Sequence, residues 1–244
     1  MDRSTLHITI PSYMVDVNSR LRAASFMELA QEIAGIDVGR TGMSDKDLAP
    51  INGVWILAKM HIHFDRVPRR FDEIDLSTWH RGQDGAKFIR DYEMNDAEGN
   101  PVVRATSSWI IMDIDDRKIL RGDILEPFNK EDAAVQEYAI EEYCPKISFP
   151  PDAEVISGTV HKVCYSDIDY NRHTNNTKYI LWSLDAIPAE ITTGSDISDI
   201  IINFNREAHL GEEVSIVAGK KGGEYYIIGK SEDERIFTAK FIFA

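Results

Sequence analysis

The chain has 244 residues, of which 43% are hydrophobic and 28% charged, and a formal net charge of −14 from 27 basic and 41 acidic side chains. This composition supplies enough apolar residues for a packed core, which excludes a disordered or collagen-like chain. The negative charge, without a basic stripe, would repel nucleic-acid phosphates, so we expect no nucleic-acid partner.

The sequence also bears on where the protein works. Apolar runs such as residues 54–58 are far shorter than the ~18 residues that a membrane-spanning helix needs, so no membrane span is expected. Residues 1–5 are not followed by the apolar core of a secretory signal. Cys144 and Cys164 are too few for a disulfide framework, which favours a reducing, cytoplasmic location.

In the first half, the spacing of hydrophobic residues predicts a helix followed by a strand. Residues 26–34 carry apolar side chains at helical spacing, and Gly35 is the expected helix end. Residues 36–53 contain glycines and a proline, which is typical of a loop. In residues 54–64 every second side chain from Val54 is apolar, which predicts a strand with one buried face.

The second half has elements in the same order. Residues 180–187 show helical apolar spacing and Pro188 ends that helix, and residues 200–204 form the following strand. Turn-forming residues predict β-hairpins at three places, residues 82–85, 96–101 and 221–223. Prolines cluster between the halves, where residues 130–142 are a candidate helix.

Short matches indicate that the halves are copies of one module. Residues 15–20 resemble residues 168–173 at an offset of 153, and residues 64–67 resemble residues 204–207 at an offset of 140. Two constant offsets in the same chain order favour a duplication. We therefore predict an α+β protein of two domains, residues 1–125 and 151–244, joined by a linker at 126–150, each with antiparallel strands and one long helix.

The densest run of polar side chains, residues 165–179, precedes the second helix. Asp169, Asn171 and His173 are spaced two residues apart in it. An imidazole can transfer a proton near neutral pH, and an amide can donate to a developing oxyanion. The same residue types favour turns and helix caps, so by themselves they leave a catalytic site and a capped loop about equally open.

The repeat separates these two interpretations. His173 corresponds to Arg20 and Glu207 to Val67, whereas the Asp and the Asn occur in both copies. A duplicated protein that retains one working site would show this difference. We therefore predict one active centre, built from Asp169, Asn171, His173 and Glu207.

The segment SDIDYNRHTNNTKYILWSLDAIP, residues 166–188, resembles the signature of the acyl-acyl-carrier-protein thioesterases of plants and bacteria. Residues 25–68 resemble the N-terminal half of that family, so the likeness covers nearly the whole chain. The resemblance implies a tandem (double) hotdog, in which each half is a curved antiparallel sheet wrapped around a long helix. It also implies hydrolysis of the thioester between a fatty acyl chain and acyl-carrier protein, which releases free fatty acid and terminates chain elongation, with the acyl chain bound in the first hotdog.

The family's catalytic Asp, Asn and His fall on Asp169, Asn171 and His173, and its catalytic Glu falls on Glu207. By this resemblance Glu207 activates water or, as the less favoured alternative, attacks directly. His173 positions the water or protonates the leaving thiolate, Asn171 orients the thioester or its oxyanion, and Asp169 holds the loop. Many plant members have Cys after the Glu, but this chain has Ala208, which excludes a mechanism that needs that Cys.

An acidic protein that binds an acidic carrier needs a local basic patch. Arg66, Arg69 and Arg70 are the first candidates for carrier contact, with Lys87 and Arg90 beside them, and ordinary surface charge is the alternative. No cofactor is expected, and a homodimer is the assembly considered. The rival functions are a hotdog acyl-CoA thioesterase and a non-catalytic acyl-binding module in which the polar cluster only caps the helix.

Other polar residues receive ordinary structural interpretations. His61, His63 and Asp65 alternate on one strand in the manner of a metal site, but a solvent-facing or sheet-packing strip is favoured because no Cys or third His lies nearby in the sequence. No metal site is therefore expected. His161 and His209 are predicted to be isolated surface residues, and Cys164 a small core residue.

Overall fold

The structure is a computed structural model that describes residues 3–122, 124–125, 134–135 and 137–244. The elements of the first half are β1 Ser4–Thr9, α1 Ala23–Arg40, α2 Asp45–Leu48, β2 Gly53–Phe64, β3 Glu73–Asp84, β4 Lys87–Asp96 and β5 Pro101–Asp113. Those of the second half are β6 Glu154–Lys162, α3 Asn176–Asp185, α4 Ala189–Gly194, β7 Ile197–Phe204, β8 Glu213–Lys221, β9 Glu224–Ser231 and β10 Glu234–Phe243.

The strands form one ten-stranded sheet in the order β1-β3-β4-β5-β2-β7-β10-β9-β8-β6. Each half therefore has the same internal order, with its leading strand at the outer edge and its second strand at the centre. Every neighbouring pair is antiparallel. The three predicted hairpins join β3 to β4, β4 to β5, and β8 to β9. The predicted order of elements is confirmed, and the sheet continues from one half into the other through β2 and β7.

The repeat extends to individual hydrogen bonds. In the first half the N–H of Asp16 donates to the carbonyl of Arg20 (2.8 Å), and in the second the N–H of Asp169 donates to that of His173 (3.0 Å). A residue inside each loop, Ser19 and Arg172 respectively, has positive φ, 60° and 66°. The two loops therefore share one backbone conformation, and their difference lies in the side chains that they carry.

The two long helices lie in a core that both halves build. Phe26 and Met27 of α1 and Tyr179 and Ile180 of α3 are buried in the same hydrophobic cluster. A smaller cluster, centred on Leu48 and Phe88, closes the end of the first half near α2. Because the main core contains side chains from both halves, each half packs against apolar side chains of the other.

Between the halves, residues 126–133 and 136 lie outside the described residues, and with them part of the candidate helix at 130–142. Residues 139–142 of that candidate form bends, and none of its described residues, 134–135 and 137–142, lies in a helix. Among the helices that the structure describes, none combines the length and the apolar character needed to cross a bilayer.

Helix α1 runs five residues beyond the end predicted at Gly35, so the loop expected over residues 36–53 was wrong in its first part. Glycine in a helix interior costs about 1 kcal/mol relative to Ala. The last turns of α1 are nevertheless anchored by Asp37, whose carboxylate accepts hydrogen bonds from Arg90 Nη1 and Ser4 Oγ, both at 2.8 Å. The assignment of Arg90 to a surface patch was also wrong, because its side chain is only 9% exposed.

Strand β2 differs from its predicted single apolar face. Its register against β5 shifts between Leu57 and Lys59, which indicates a β-bulge. Leu57 is buried before the bulge, and Met60 and Ile62 are buried after it. The bulge moves the buried positions from odd to even residue numbers, so Val54 is not on the face of Met60.

Replacing Asp37 with Ala should lower the free energy of unfolding by about 3–5 kcal/mol, because it leaves the buried Arg90 charge without its carboxylate partner. Urea unfolding measures this loss. The control is Asp84→Ala, which breaks an exposed ion pair with Lys87 at 2.8 Å and should change stability by no more than about 1 kcal/mol. Equal losses in the two variants would contradict the anchoring role of Asp37.

Candidate active site

The loop between β6 and α3 carries three of the four predicted site residues. Asp169 Oδ1 accepts the backbone N–H of Asn171 at 2.9 Å, and the N–H of Asp169 donates to His173. Asn171 is exposed and His173 is half-buried. Asp169 therefore closes the turn that carries the other two side chains, which fits the loop-holding role expected for it.

Part of the same polar run caps the helix, as the alternative interpretation expected. Asn175 is the N-cap of α3, and its Oδ1 accepts the N–H of Thr177 at 2.9 Å. Helix capping therefore accounts for Asn175, and a turn hydrogen bond accounts for one oxygen of Asp169. It leaves the side chains of Asn171 and His173 without a capping role.

Glu207 follows β7 and lies beside the loop. Its Oε2 is 3.6 Å from His173 Nε2. The next residue, Ala208, is buried, and its carbonyl accepts hydrogen bonds from the N–H (3.1 Å) and the Oγ1 (2.8 Å) of Thr174. These bonds connect Ala208, the residue after Glu207, to Thr174, the residue after His173. The backbone therefore holds the side chains of Glu207 and His173 close to each other.

Two more residues hold this segment. The hydroxyl of Tyr179 accepts the N–H of Ala208 at 3.0 Å, and burial raises the pKa of Tyr179 to about 12, so the phenol stays neutral. Arg206 donates to the carbonyl of Glu207 at 2.8 Å and pairs with Glu212. Burial opposes ionisation of Glu212, but hydrogen bonds from Arg206, Ser231 and the backbone of His209, with the charge of Arg206, together outweigh it and bring the pKa to about 2. Arg206 and Tyr179 are thus supports of the site.

Sequence reasoning missed two residues here. Arg117, which follows β5 in the other half, places Nη2 2.5 Å from Glu207 Oε2. His209 is exposed as predicted, but its ring lies 5.3 Å from that of His173, centroid to centroid, so the prediction that it is isolated was wrong. The position of His209, two residues after Glu207, was a signal that could have been used. Arg117 belongs to no motif, and its contact joins residues ninety positions apart.

A cavity of about 520 Å³ opens at these residues and extends into the first half. Its second-half wall includes Asn171, His173 and Glu207. Its first-half wall is largely apolar and comes from α1, β2, β4 and β5, with the side chains Ala34, Val38, Trp55, Leu57, Phe88 and Trp109. The structure therefore connects the candidate catalytic pair to an apolar space in the other half.

The cavity wall also contains the buried Asp37–Arg90 pair and His80. Burial, together with the positive charge of Arg90, lowers the pKa of His80 to about 4. His80 is therefore neutral at physiological pH. The cavity combines an apolar wall with one compact, charge-balanced polar group.

The proposed carrier patch lies outside the cavity wall. Arg66 Nη1 pairs with Asp72 at 2.8 Å, so this residue is already engaged. Arg69 is exposed, and the guanidinium of Arg70 lies over the ring of the exposed Phe71, 4.2 Å from its centroid. Arg69 also donates to the carbonyl of Asn18 at 3.3 Å, which places the patch beside the first-half loop.

The remaining histidines form local pairs. His61 and His63 both contact Asp199 Oδ1, at 3.1 and 2.9 Å, across the β2–β7 pairing, which fits a sheet-packing strip. His161 is not isolated, because its Nε2 lies 2.8 Å from Asp167 Oδ2. Cys164 is exposed, so its assignment to the core was wrong.

Comparison with known proteins agrees with the two-part architecture. Residues 4–128 match the family described as acyl-ACP thioesterase N-terminal domain, and residues 152–241 match the acyl-ACP thioesterase C-terminal domain. The oleoyl-acyl carrier protein thioesterase 2 of Arabidopsis thaliana is 28% identical over 221 residues, covering 81% of this chain and 58% of that protein. A palmitoyl-acyl carrier protein thioesterase of Gossypium hirsutum is 26% identical over 214 residues, covering 82% of this chain and 51% of that protein. The chain thus spans less than two thirds of the length of these relatives.

Solved structures agree with the fold. The acyl-ACP thioesterase of Bacteroides thetaiotaomicron superposes with a TM-score of 0.82 at 23% identity, covering 99% of this chain and 98% of that one. The 12:0-ACP thioesterase of Umbellularia californica gives a TM-score of 0.89 at 18% identity, covering 98% and 96%. The tandem hotdog fold is confirmed, and the chain belongs to the acyl-ACP thioesterase family.

Proposed function

We propose that this protein hydrolyses the thioester of fatty acyl-acyl-carrier protein, releases the free fatty acid and thereby terminates chain elongation. The observation that carries the proposal is the His173–Glu207 pair, with 3.6 Å between imidazole and carboxylate, at the entrance of an apolar cavity. A carboxylate and an imidazole are a base and an acid suited to thioester hydrolysis near neutral pH. The names of the plant relatives support the same substrate class.

In the proposed reaction, Glu207 removes a proton from water while the water oxygen bonds to the thioester carbonyl carbon. The carbonyl oxygen becomes negative and is stabilised by Asn171, whose exposed amide lies at the cavity wall. The carbon–sulfur bond then breaks, and His173 gives its proton to the leaving sulfur. Direct attack by Glu207 on the carbonyl is the less favoured alternative.

Arg117 has a defined part in this scheme. It engages Glu207 Oε2, the same oxygen that faces His173. The ion pair holds the carboxylate in one orientation and leaves Oε1 to accept the proton of water. Arg117 is therefore a positioning residue, supplied by the first half to a site whose other members lie in the second.

We further propose that the first hotdog, residues 1–125, binds the acyl chain, that residues 126–150 are the linker and that residues 151–244 carry the catalytic groups. The apolar wall contributed by α1, β2, β4 and β5 supports this division. Each buried CH₂ contributes about 0.8 kcal/mol, so a pocket of fixed depth discriminates chain lengths by about fourfold per CH₂.

Acyl-carrier protein is the proposed partner, bound through Arg69 and Arg70. Two acidic proteins repel each other at long range, and the exposed Arg69 and Arg70 would reverse this locally. A cytoplasmic location is also proposed, in keeping with the two free cysteines of the chain.

Glu207→Gln and His173→Ala should each lower turnover of acyl-carrier substrate by about 10²–10⁴-fold, because each removes one proton-transfer group. The measurement is release of free acid under single-turnover conditions. Glu213→Gln, an exposed change on β8, is the control and should keep full activity. Folded Glu207 or His173 variants with near-normal rates would reject this site, and no turnover by the unaltered protein would favour an acyl-binding module.

Gly35→Phe should shorten the longest acyl chain that is hydrolysed efficiently. Gly35 lies on the cavity wall, and a Cβ added there meets no atom within 4 Å, so the ring can enter the space without disturbing the helix. Gly39→Phe is the matched control, since it lies on the same helix, has equal room and is outside the cavity wall. A chain-length panel of substrates gives the result, and an identical profile for both variants would contradict acyl binding in the first half.

Reversing two charges, Arg69→Glu with Arg70→Glu, should lower kcat/KM on acyl-carrier substrate by about tenfold and leave hydrolysis of a small thioester unchanged. Arg235→Glu, an exposed change on β10, serves as the control. Acyl-CoA measured in parallel distinguishes the rival function, because equal efficiency on CoA and carrier substrates would favour a CoA thioesterase. Equal losses on carrier and small substrates would reject the patch.

A further inference from the structure

A second polar cluster lies at the start of the loop between β6 and α3, where β6 meets the short turn Tyr165–Asp167. This loop, which carries Asp169, Asn171 and His173, is called the catalytic loop. Three groups converge on one atom, Asp167 Oδ2: His161 Nε2 at 2.8 Å, the N–H of Cys164 at 2.9 Å and Cys164 Sγ at 3.1 Å. Cys164 Sγ also lies 3.3 Å from Ser166 Oγ. The Asp167 side chain is only 6% exposed, whereas Cys164 is open to solvent.

The repeat provides an internal comparison for this cluster. The positions equivalent to His161, Cys164 and Asp167 in the first half are Ile8, Pro11 and Met14, at the same offset of 153. The turn is the same in both copies, since Met14 N–H donates to Pro11 (3.1 Å) and Asp167 N–H donates to Cys164 (3.0 Å). The backbone therefore forms this turn with apolar side chains, and the fold does not require a buried carboxylate there.

The donor set itself has a recognisable chemistry. An imidazole nitrogen, a thiol sulfur and a carboxylate oxygen lie within 4.8 Å of one another. Nitrogen, sulfur and oxygen ligands in this combination suit Zn²⁺, which is four-coordinate in most protein sites. Tetrahedral bonds of about 2.0–2.3 Å place ligand atoms about 3.3–3.8 Å apart. The two contacts to Asp167 Oδ2, at 2.8 and 3.1 Å, are shorter than this by less than about 1 Å, so small side-chain movements suffice once the ion replaces the shared protons.

We propose that His161, Cys164 and Asp167 form a binding site for a divalent zinc-type ion, with a water molecule as the fourth ligand. The exposed side of Cys164 provides access for the ion and for that water. The ring of Trp182 packs against His161 at 4.2 Å between centroids, which holds the imidazole in the orientation that directs Nε2 at the carboxylate. Such outer contacts orient metal-binding histidines in general.

Binding at this site braces the catalytic loop. The carbonyl of Asp167 accepts the N–H of Asn175 at 2.8 Å, and Asn175 caps α3. The residues between these two include Asp169, Asn171 and His173. The segment from Asp167 to Asn175 is held at its end by the helix cap. An ion bound to Asp167 would therefore fix its start as well.

The test uses the full chain, freed of metal by a chelator and titrated with Co²⁺ as a spectroscopic probe and with Zn²⁺ by calorimetry. We expect one ion per chain and a thiolate-to-cobalt charge-transfer band that Zn²⁺ abolishes, because Zn²⁺ binds such sites more tightly than Co²⁺. Cys164→Ser should remove the band, and Cys164→Ser and His161→Gln should each weaken Zn²⁺ binding by about tenfold or more.

Two control variants make the test specific. Cys144→Ala removes the other, buried thiol and should retain the band. His7→Gln removes an exposed histidine that pairs with Asp75 at 2.8 Å and should retain the Zn²⁺ affinity. Circular dichroism confirms that each variant is folded. The proposal is overturned if no saturable binding occurs, if the band survives in Cys164→Ser, or if binding is lost only on replacing His173, which would place the ion at the catalytic pair.

Discussion

The antiparallel pairing of β2 with β7 is the contact on which both the fold and the candidate site depend. On the inner face it sets the buried Met60 opposite Ile202 and Ile62 opposite Ile200. A slip of one residue would move these side chains to the other face.

On the outer face, Asp199 of β7 forms contacts with His61 and His63 of β2, and these contacts specify the same register. Burying a charged group opposes ionisation, but these two hydrogen bonds outweigh it and bring the pKa of Asp199 to about 2. Because Glu207 follows β7 and the cavity wall includes β2, this pairing brings the candidate catalytic pair, His173 and Glu207, to the apolar space.

The two copies of the loop show how one module serves two purposes. In the second copy the position before the helix holds His173, which faces Glu207. In the first copy the same position holds Arg20, which is buried and pairs with Asp16 of its own loop at 2.7 Å and with Asp196 of the other half at 2.9 Å. Arg20 also donates to the carbonyl of Thr192 at 2.8 Å. One loop thus fastens the two halves together, while the other presents side chains to the cavity. In both copies the Asp carboxylate accepts the backbone N–H two residues later, at 2.8 and 2.9 Å, which explains why the Asp persists in both.

Most of the predictions that were wrong share one cause. Gly35 does not end α1 because Asp37 is held by Arg90 and Ser4, residues distant in sequence. The apolar alternation of β2 ignored a bulge that only its register with β5 reveals. His209 was interpreted as isolated, but its ring lies beside that of His173. In these three cases a contact from another element decided the outcome, whereas Cys164, assigned to the core from its apolar neighbours, is exposed in a turn of its own.

The amino-acid sequence by itself determined the order of helices and strands, the duplication, the polar loop and the family, because periodicity, turn residues and motifs are properties of neighbouring positions. It also distinguished the two copies through His173 and Glu207. Only the tertiary structure decided that Arg117 of the first half reaches Glu207, that His209 lies beside His173, and that one cavity runs from this pair to the wall formed by α1 and β2. These contacts join side chains far apart in the chain, and such contacts leave no periodic pattern because they arise when the two sheets meet edge to edge and the helices share one core.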